Sequence, residues 1–290
     1  MLSKLKLLKK QDHVLGINDR NCSFVYEYNP RKYYPLANDK ILCKNLLKAH
    51  NIASPKSYFI IDSIGDIELM WEQLNELNSM VIKPSNGSGG NGIMVLKKEA
   101  GQWKKGSRAV TVSQIKQHIA NILFGVYSFG SDDRAIIEEL IVSHEFLHDL
   151  YPHGVADLRL ITVAETIVMA MLRLPTEKSQ GKANIHQGGL GIGIELESGK
   201  LLKVYNGKGY FDAHPETNQQ ITGKHIPYWK RIKEIALECA KVTPLKYLGV
   251  DIVIDQHKGP MVMELNARPG LEIQNVNQKG LNQAIQELCK

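Results

Sequence analysis

The sequence predicts an α+β fold built on antiparallel sheets. Apolar, strand-like runs crowd together after Ala135 (AIIEELI, DLRLITV, TIVMAMLRL, GLGIGIEL). Helical patterns lie among the strands without regular β-α-β alternation. Near the end, VDIVID (Val250 to Asp255) and MVMELNARPG (Met261 to Gly270) read as a hairpin. Side chains alternate along a strand. With a four-residue QHKG turn, Asp255 faces Pro260 and Asp251 faces Glu264. Glu264 and Asn266 share one face, leaving Ile252, Ile254, Met261, Met263 and Leu265 for the other.

Taken in order, a polar, Tyr-rich entry (Tyr26 to Tyr34) precedes a helix beginning at Asn38 or Asp39. Its apolar stripe is Leu42, Leu46 and Ala49, and it stops before NIASP. The strand SYFIID and a Glu/Leu-rich helix over about 67–77 follow. Strand MVIK then enters the loop PSNGSGGNG, and strand IMVLKK leaves it. A helix capped by Ser113 carries Ile115, Ile119 and Ile122 to Gly125. The helix over about 229–242 places Ile232, Ile235, Ala236 and Cys239 on one face.

At 290 residues and 43% apolar, the chain is long enough for one large core or two smaller ones. The net charge of +6 is mild, and the main cationic cluster is Lys4, Lys6, Lys9 and Lys10, read as a solvated tail. No nucleic-acid partner is expected. Cys22, Cys43, Cys239 and Cys289 stand far apart without a C-x-x-C, against a disulfide framework or thiolate zinc site. No apolar run reaches the roughly 20 residues of a membrane span, and MLSKLKLLKK lacks an apolar h-region. A reduced, cytoplasmic protein is the expectation.

Asp251, Glu264 and Asn266 offer hard oxygens without sulfur, a set that suits Mg²⁺ or Mn²⁺. So few protein ligands imply that substrate phosphates complete the shell, and hence a nucleotide enzyme. Ser85 to Gly92 (SNGSGGNG) is half glycine, which lets backbone N–H groups crowd a phosphate. No G-K-[ST] follows and no helix opens, so it is neither a Walker loop nor a Rossmann turn. An ordinary hairpin loop is the competing reading; Lys83, leaving the buried MVIK strand, favours phosphate. Lys40, Lys44 and Lys48, spaced by four, read on periodicity as a solvated basic face. Arg159 and Arg173 sit within apolar strands, so each is either paired with a carboxylate or aimed at an anion. The polar, Gly-bearing segment Pro175 to Gly189 carries Lys182, Asn184 and His186 in a loop of the kind that binds substrates. Arg268 follows the metal-type residues and suits a carboxylate or phosphate.

HEFLH (His144 to His148) fits H-E-x-x-H, in which two histidines bind zinc and Glu145 acts as base. The continuation DLYPHG lacks the third-histidine extension, and Pro152 leaves little room for a long helix. A zinc hydrolase is therefore the minor alternative.

Together, VIKPSNGSGGNGI, IIEELI, DLRLITV, ANIHQGG, LGVDIVID and VMELNARPGLEIQ resemble the ATP-grasp carboxylate–amine ligases. The nearest pattern is that of RimK-type α-L-glutamate ligases, over about 35–274. The stretches NPRKYYPL and RLPTEKSQGKANIHQGG are similar to a subgroup described as α-L-glutamate ligase-like. The resemblance implies two α+β subdomains closing on ATP: a subdomain over 37–137 with the lid loop and another over 138–290 with the metal and substrate site. Residues 1–36 would be an N-terminal extension, too short for the complete Rossmann-like domain that usually begins such enzymes. That leaves room for a homodimer, a partner protein or an altered acceptor site.

By the same resemblance, Lys40 and Lys83 touch ATP phosphates, and Ser85, Gly87, Ser88, Gly89 and Gly90 belong to the lid. Glu138, Glu139, Leu140 and Ile141 form the adenine hinge, with Glu145 at the ribose. Asp251, Glu264 and Asn266 hold Mg²⁺. Arg159, Asn184 and Arg268 lie near the reacting acyl phosphate, and Arg173, Lys182 and His186 near substrate. RimK-type enzymes have N-L-H-R-G-G where NIHQGG places Gln187, and serine where Arg268 stands, so glutamate specificity is not assumed. The expected reaction is ADP-producing C–N ligation of a carboxylate to an amine through an acyl phosphate, adding glutamate or another amino acid to an acidic acceptor; the amine partner is an amino acid, peptide or protein. A non-catalytic ATP-binding sensor or assembly module is the alternative.

Overall fold

A computed structural model describes residues 13–87 and 89–288. Lys4, Lys6, Lys9, Lys10, Ser88 and Cys289 lie outside the described residues. The chain forms two compact units. The smaller comprises residues 39–41 and 55–141; the larger comprises 13–38, 42–54 and 142–288.

The smaller unit has a six-stranded antiparallel sheet in the order β1-β6-β2-β3-β4-β5. Its strands are β1 (Ser57–Ile61), β2 (Ser79–Pro84), β3 (Met94–Glu99), β4 (Gln102–Lys105), β5 (Arg108–Ala109) and β6 (Ala135–Glu138). Helix α1 (Lys40–Ala49) starts at this unit's Lys40 and continues into the larger one. Two helices cover the sheet, α2 (Ile64–Asn75) and α3 (Val112–Leu123). Ile67 and Leu74 of α2 and Ile115, Ile119 and Ile122 of α3 close over Met80, Ile82, Leu96, Trp103 and Ile137. Each fully buried aliphatic side chain stabilises by roughly 1.5–3 kcal/mol. Both helices start with a reciprocal capping box: Ser63 with Asp66, and Thr111 with Gln114. The cap of α3 is therefore Thr111, not Ser113, because only the T-x-x-Q spacing satisfies two orphan N–H groups at once.

The larger unit is built on a seven-stranded antiparallel sheet in the order β11-β10-β9-β8-β7-β12-β13. Its strands are β7 (Asp157–Val163), β8 (Thr166–Leu174), β9 (Leu190–Ile194), β10 (Leu201–Tyr205), β11 (Tyr210–Phe211), β12 (Tyr247–Asp255) and β13 (Gly259–Asn266). One sheet face, with Leu158, Leu160, Leu172, Val250 and Ile252, packs with Ile232, Ile235, Ala236 and Cys239 of a long helix. After short helical segments at Ile17–Arg20, Tyr26–Tyr28 and Pro35–Asn38, the helices here include α4 (Glu145–Leu150), that long helix α5 (Trp229–Val242), α6 (Glu272–Asn277) and α7 (Leu281–Leu288). The opposite face is divided. At one end, Ile161, Met169, Met171 and Tyr247 pack with Leu15 and Val25 of the N-terminal segment and with α6 and α7. At the other end, the same alternation places Asp157, Arg159, Arg173 and Asp251.

Two expectations change. In α1 the buried side chains are Ile41, Cys43, Lys44 and Leu47, whereas Leu42 and Ala49 are exposed. Lys44 is therefore not part of a solvated basic face. In the terminal hairpin, Asp255 pairs with Gly259, not Pro260. Gly259 has φ +74 and closes a three-residue QHK turn. A bulge at Met263 restores the pairing of Asp251 with Glu264 while Ile252 faces Val262. Val262 and Leu265 thus join the core beside Ile252, and Met263 is left half-buried. Among the described residues, no helix is long and apolar enough to cross a membrane.

Candidate functional site

In the smaller unit, Lys40 and the glycine-rich loop meet at the start of α1. Lys40 Nζ donates to Gly87 O at 2.5 Å and Ser85 O at 3.4 Å. Ser85 Oγ donates to Asp39 Oδ1 at 2.7 Å, and Arg134 Nη2 donates to Asp39 Oδ2 at 2.5 Å. The Asn86 backbone N donates to Asp133 Oδ1 at 3.1 Å, and its Nδ2 does so at 3.1 Å. Asp133, itself buried, also accepts from Ser128 Oγ and from Arg134 N. Gly87 is required by close approach, since a Cβ there would meet Pro84 Cγ at 2.3 Å.

The far end of the loop is latched separately. His118 Nε2 donates to Gly92 O at 2.9 Å, and Tyr127 O–H faces His118 Nδ1 at 3.3 Å. Gly92 has φ +75, and a Cβ would meet the Tyr127 ring at 2.6 Å. The glycine-rich segment therefore hangs between an acid-anchored base and an aromatic–histidine latch. None of Asp39, Asp133, His118 and Tyr127 was legible from sequence, because each contact joins distant residues.

The latch has a pH dependence of definite sign. Burial lowers the His118 pKa below its usual value, the bond to Gly92 opposes this, and Lys105 lowers it further. The opened state then takes up a proton first, near the ordinary value of about 6.5. Latch stability is complete above about pH 6.5 and falls as the pH drops below it. Amide exchange of residues 85–92, corrected for intrinsic rates, is expected to quicken relative to β2 on acidification. His118→Gln removes that pH dependence; an unchanged profile in the variant would count against the latch.

Lys83 is buried and pairs with Glu138 Oε1 at 2.5 Å. Glu139, one of the expected hinge residues, is tied to the start of β1: Lys56 N donates to its Oε1 at 2.8 Å, and Glu139 N donates to Lys56 O at 2.9 Å. Leu140 is half-buried and Ile141 buried.

In the larger unit, neighbouring strands assemble an alternating-charge array. Register sets Asp157 opposite Arg173, Arg159 opposite Asp251, and Asp251 opposite Glu264. Arg159 grips Asp251 with two bonds, Nε to Oδ1 at 2.7 Å and Nη2 to Oδ2 at 2.5 Å. Arg173 grips Asp157 through Nε and Nη2, both at 2.5 Å, and its Nη2 reaches Asp251 Oδ2 at 2.8 Å. Asn266 Nδ2 lies 3.3 Å from Asp251 Oδ2 and 3.5 Å from Glu264 Oε1. Burial would raise the Asp251 carboxyl, but Arg159 and Arg173 outweigh it and hold it below the carboxylate range. Burial pushes Asp157 up, with Arg173 opposing. Asp157 escaped notice in the sequence, although DLR puts it on the same strand face as Arg159.

Asp251, Glu264 and Asn266 are thus neighbours, as a shared hard-cation site requires. Their donor types fit Mg²⁺ or Mn²⁺ bound together with phosphate oxygens. Both Asp251 oxygens are occupied by guanidinium groups, so a cation must share or displace those bonds. Among the described residues, no group of three or more His, Cys, Asp or Glu could hold a metal ion. This includes HEFLH, where His144 caps α4 by accepting from Phe146 N at 3.2 Å and Glu145 is exposed.

The remaining candidates are dispersed. Asn184 Oδ1 accepts from His186 N at 3.0 Å, capping a short turn over Ile185–Gln187. His186 is exposed, and Lys182 is half-buried. Among the described residues, no hydrogen bond or ion pair joins Lys182, Asn184 or His186 to the charged array. Arg268 is exposed, its guanidinium carbon 5.1 Å from the centre of the Tyr34 ring.

Residues 19–290 match the family described as "Sugar-transfer associated ATP-grasp". A "Probable alpha-L-glutamate ligase" of Trichodesmium erythraeum (strain IMS101) is 25% identical over 257 residues, 86% of this chain and 62% of that protein. One from Pseudomonas putida (strain GB-1) is 24% identical over 259 residues, 87% of this chain and 65% of that protein. The chain thus spans less than two thirds of these relatives. Among solved structures, D-cycloserine synthetase DcsG aligns with a TM-score of 0.49 at 14% identity, covering 91% of this chain and 74% of that one. The D-alanine–D-alanine ligase of Bacillus anthracis complexed with ATP aligns at 0.49 and 14%, covering 88% and 65%. At these values, the structural likeness carries no argument about activity.

Proposed function

The chain belongs to the sugar-transfer associated ATP-grasp family, and on that premise we propose that it is an ATP-dependent ligase joining a carboxylate to an amine. The observation that supports this most is the charged end of the larger sheet, where two guanidinium groups, three carboxylates and the Asn266 amide converge. Such an array suits a reaction in which negative charge accumulates on phosphoryl and acyl oxygens.

In this reading a substrate carboxylate attacks the γ-phosphorus of ATP, ADP leaves, and an amine displaces phosphate from the acyl phosphate. Phosphoryl transfer needs positioning and charge neutralisation more than a strong base. Arg159, Arg173 and Arg268 supply fixed positive charge toward the acyl and phosphoryl oxygens. Lys40 and the N–H groups of residues 85–92 take the ATP phosphates, with Lys83 behind them. The backbone of residues 138–141 takes adenine, and Glu145 takes ribose. Asp251, Glu264 and Asn266 would hold Mg²⁺, which supplies charge neutralisation at the phosphates when bound. Lys182, Asn184 and His186 line the substrate side. The names of the relatives make glutamate the first amine to test, and the family description makes sugar-bearing carboxylates the first acids. Gln187 and Arg268 depart from the glutamate-ligase pattern, so the panel must extend beyond both.

The test is ADP and phosphate release by purified protein with Mg-ATP across amino acids, acidic peptides and sugar acids. Release that requires one acid and one amine supports the ligase. Mg-ATP binding without release on any pair favours a sensor or assembly role, and absence of Mg-ATP binding would overturn the reading.

A further inference from the structure

Three successive residues just after the Asn266 amide are held by one short stretch of chain near the N-terminus. Arg20 Nη1 donates to Pro269 O at 3.0 Å, while its Nε and Nη2 are steadied by Asn21 Oδ1 at 3.2 and 2.9 Å. Asn29, 1% exposed, donates through Nδ2 to Ala267 O at 2.9 Å and to Tyr247 O at 2.7 Å. Its Oδ1 accepts from Tyr247 N at 3.0 Å. Tyr34 places its ring beside the Arg268 guanidinium, 5.1 Å from centroid to carbon. The segment 267–269 also folds back onto Gly249, where a Cβ would meet Pro269 Cβ at 2.8 Å. A backbone satisfied at 267 and 269, with a ring against 268, has little freedom left.

We propose that residues 20–34 are a positioning clamp for Asn266–Arg268, with Arg20, Asn29 and Tyr34 as positioning residues that fix the Asn266 amide and the Arg268 guanidinium for the acidic substrate. The turnover arm of this inference rests on the ligase reading; the geometric arm does not. Tyr34 contributes its ring, not its hydroxyl, because Tyr34 Oη is buried with no hydrogen-bond partner among the described residues. Tyr34→Phe therefore keeps the clamp, and Tyr34→Leu removes the cation–π face.

The test compares wild type, Tyr34→Phe, Tyr34→Leu and Arg20→Gln, with Asn29→Ala left out because a buried three-bond residue is prone to misfold. In nucleotide-free protein, amide exchange at 266–270 is expected to quicken in Tyr34→Leu and Arg20→Gln but not in Tyr34→Phe, with β8 unchanged in all. With an identified substrate pair, Tyr34→Leu is expected to lose up to about 10²-fold in kcat, while KM for ATP stays within about twofold and Tyr34→Phe retains wild-type kcat. Unchanged exchange at 266–270 in both disruptive variants overturns the clamp. So does a loss in which KM for ATP rises in step with the fall in kcat. If wild type turns over no pair, the ligase reading fails, and the exchange experiment still decides the clamp.

Discussion

Glu264→Ala is expected to abolish ATP turnover and leave the fold intact. Glu264 is half-buried on the bulged strand β13, and its side chain is approached by Asn266 Nδ2 at 3.5 Å. Truncation there leaves no core cavity, so the change in stability is expected to stay within about 0.5 kcal/mol. Turnover is expected to fall about 10²–10³-fold, the scale for losing one preorganised electrostatic element, because Glu264 would hold the cation that neutralises the phosphates. Glu264→Gln should recover little, because an amide keeps the shape but not the charge. Calorimetry beside ADP release separates the two effects, and wild-type turnover in Glu264→Ala would remove Glu264 from the site.

The second large effect concerns stability. Lys83 and Glu138 form an ion pair 2.5 Å long with side chains only 3% and 2% exposed. Breaking such a pair from one side leaves a buried charge, a cost of about 3–5 kcal/mol. Lys83→Met is therefore expected to lower denaturant resistance by that amount, and Lys83→Met/Glu138→Leu to regain most of it. Nucleotide affinity is expected to fall in both variants. A single variant that unfolds like wild type would mean that the pair contributes nothing to the fold.

Sequence reading succeeded where the pattern was local and periodic. DLRLITV and TIVMAMLRL became β7 and β8 over the residues anticipated, and the stripe Ile232, Ile235, Ala236 and Cys239 is the buried face of α5. Apolar alternation and helical spacing are read directly from the chain. It failed where the answer lay in another segment. The Met263 bulge depends on what β12 presents across the hairpin, and no signal in MVMELN announces it. The buried stripe of α1 differs from the expected one because IL-C-KNLL offers several apolar faces, and tertiary packing chose Ile41 and Leu47. The site followed the same division. Arginines inside apolar strands announced themselves by their cost, and their carboxylate partners are now named. The anchors Asp39 and Asp133 lie 46 and 47 positions from the loop residues they hold, and carry no local mark.

The alternating array Asp157–Arg173–Asp251–Arg159 has one more consequence. Carboxylates packed together usually make a fold depend on the ion that separates them. Here Asp157 and Asp251 already have guanidinium counterparts within the sheet. The array is therefore self-neutralised, and a chelator is expected to leave the melting temperature of the protein unchanged. On the proposed ligase reading, scarcity of magnesium would silence such a protein without unfolding it, and restoring the ion would revive it with no need to refold.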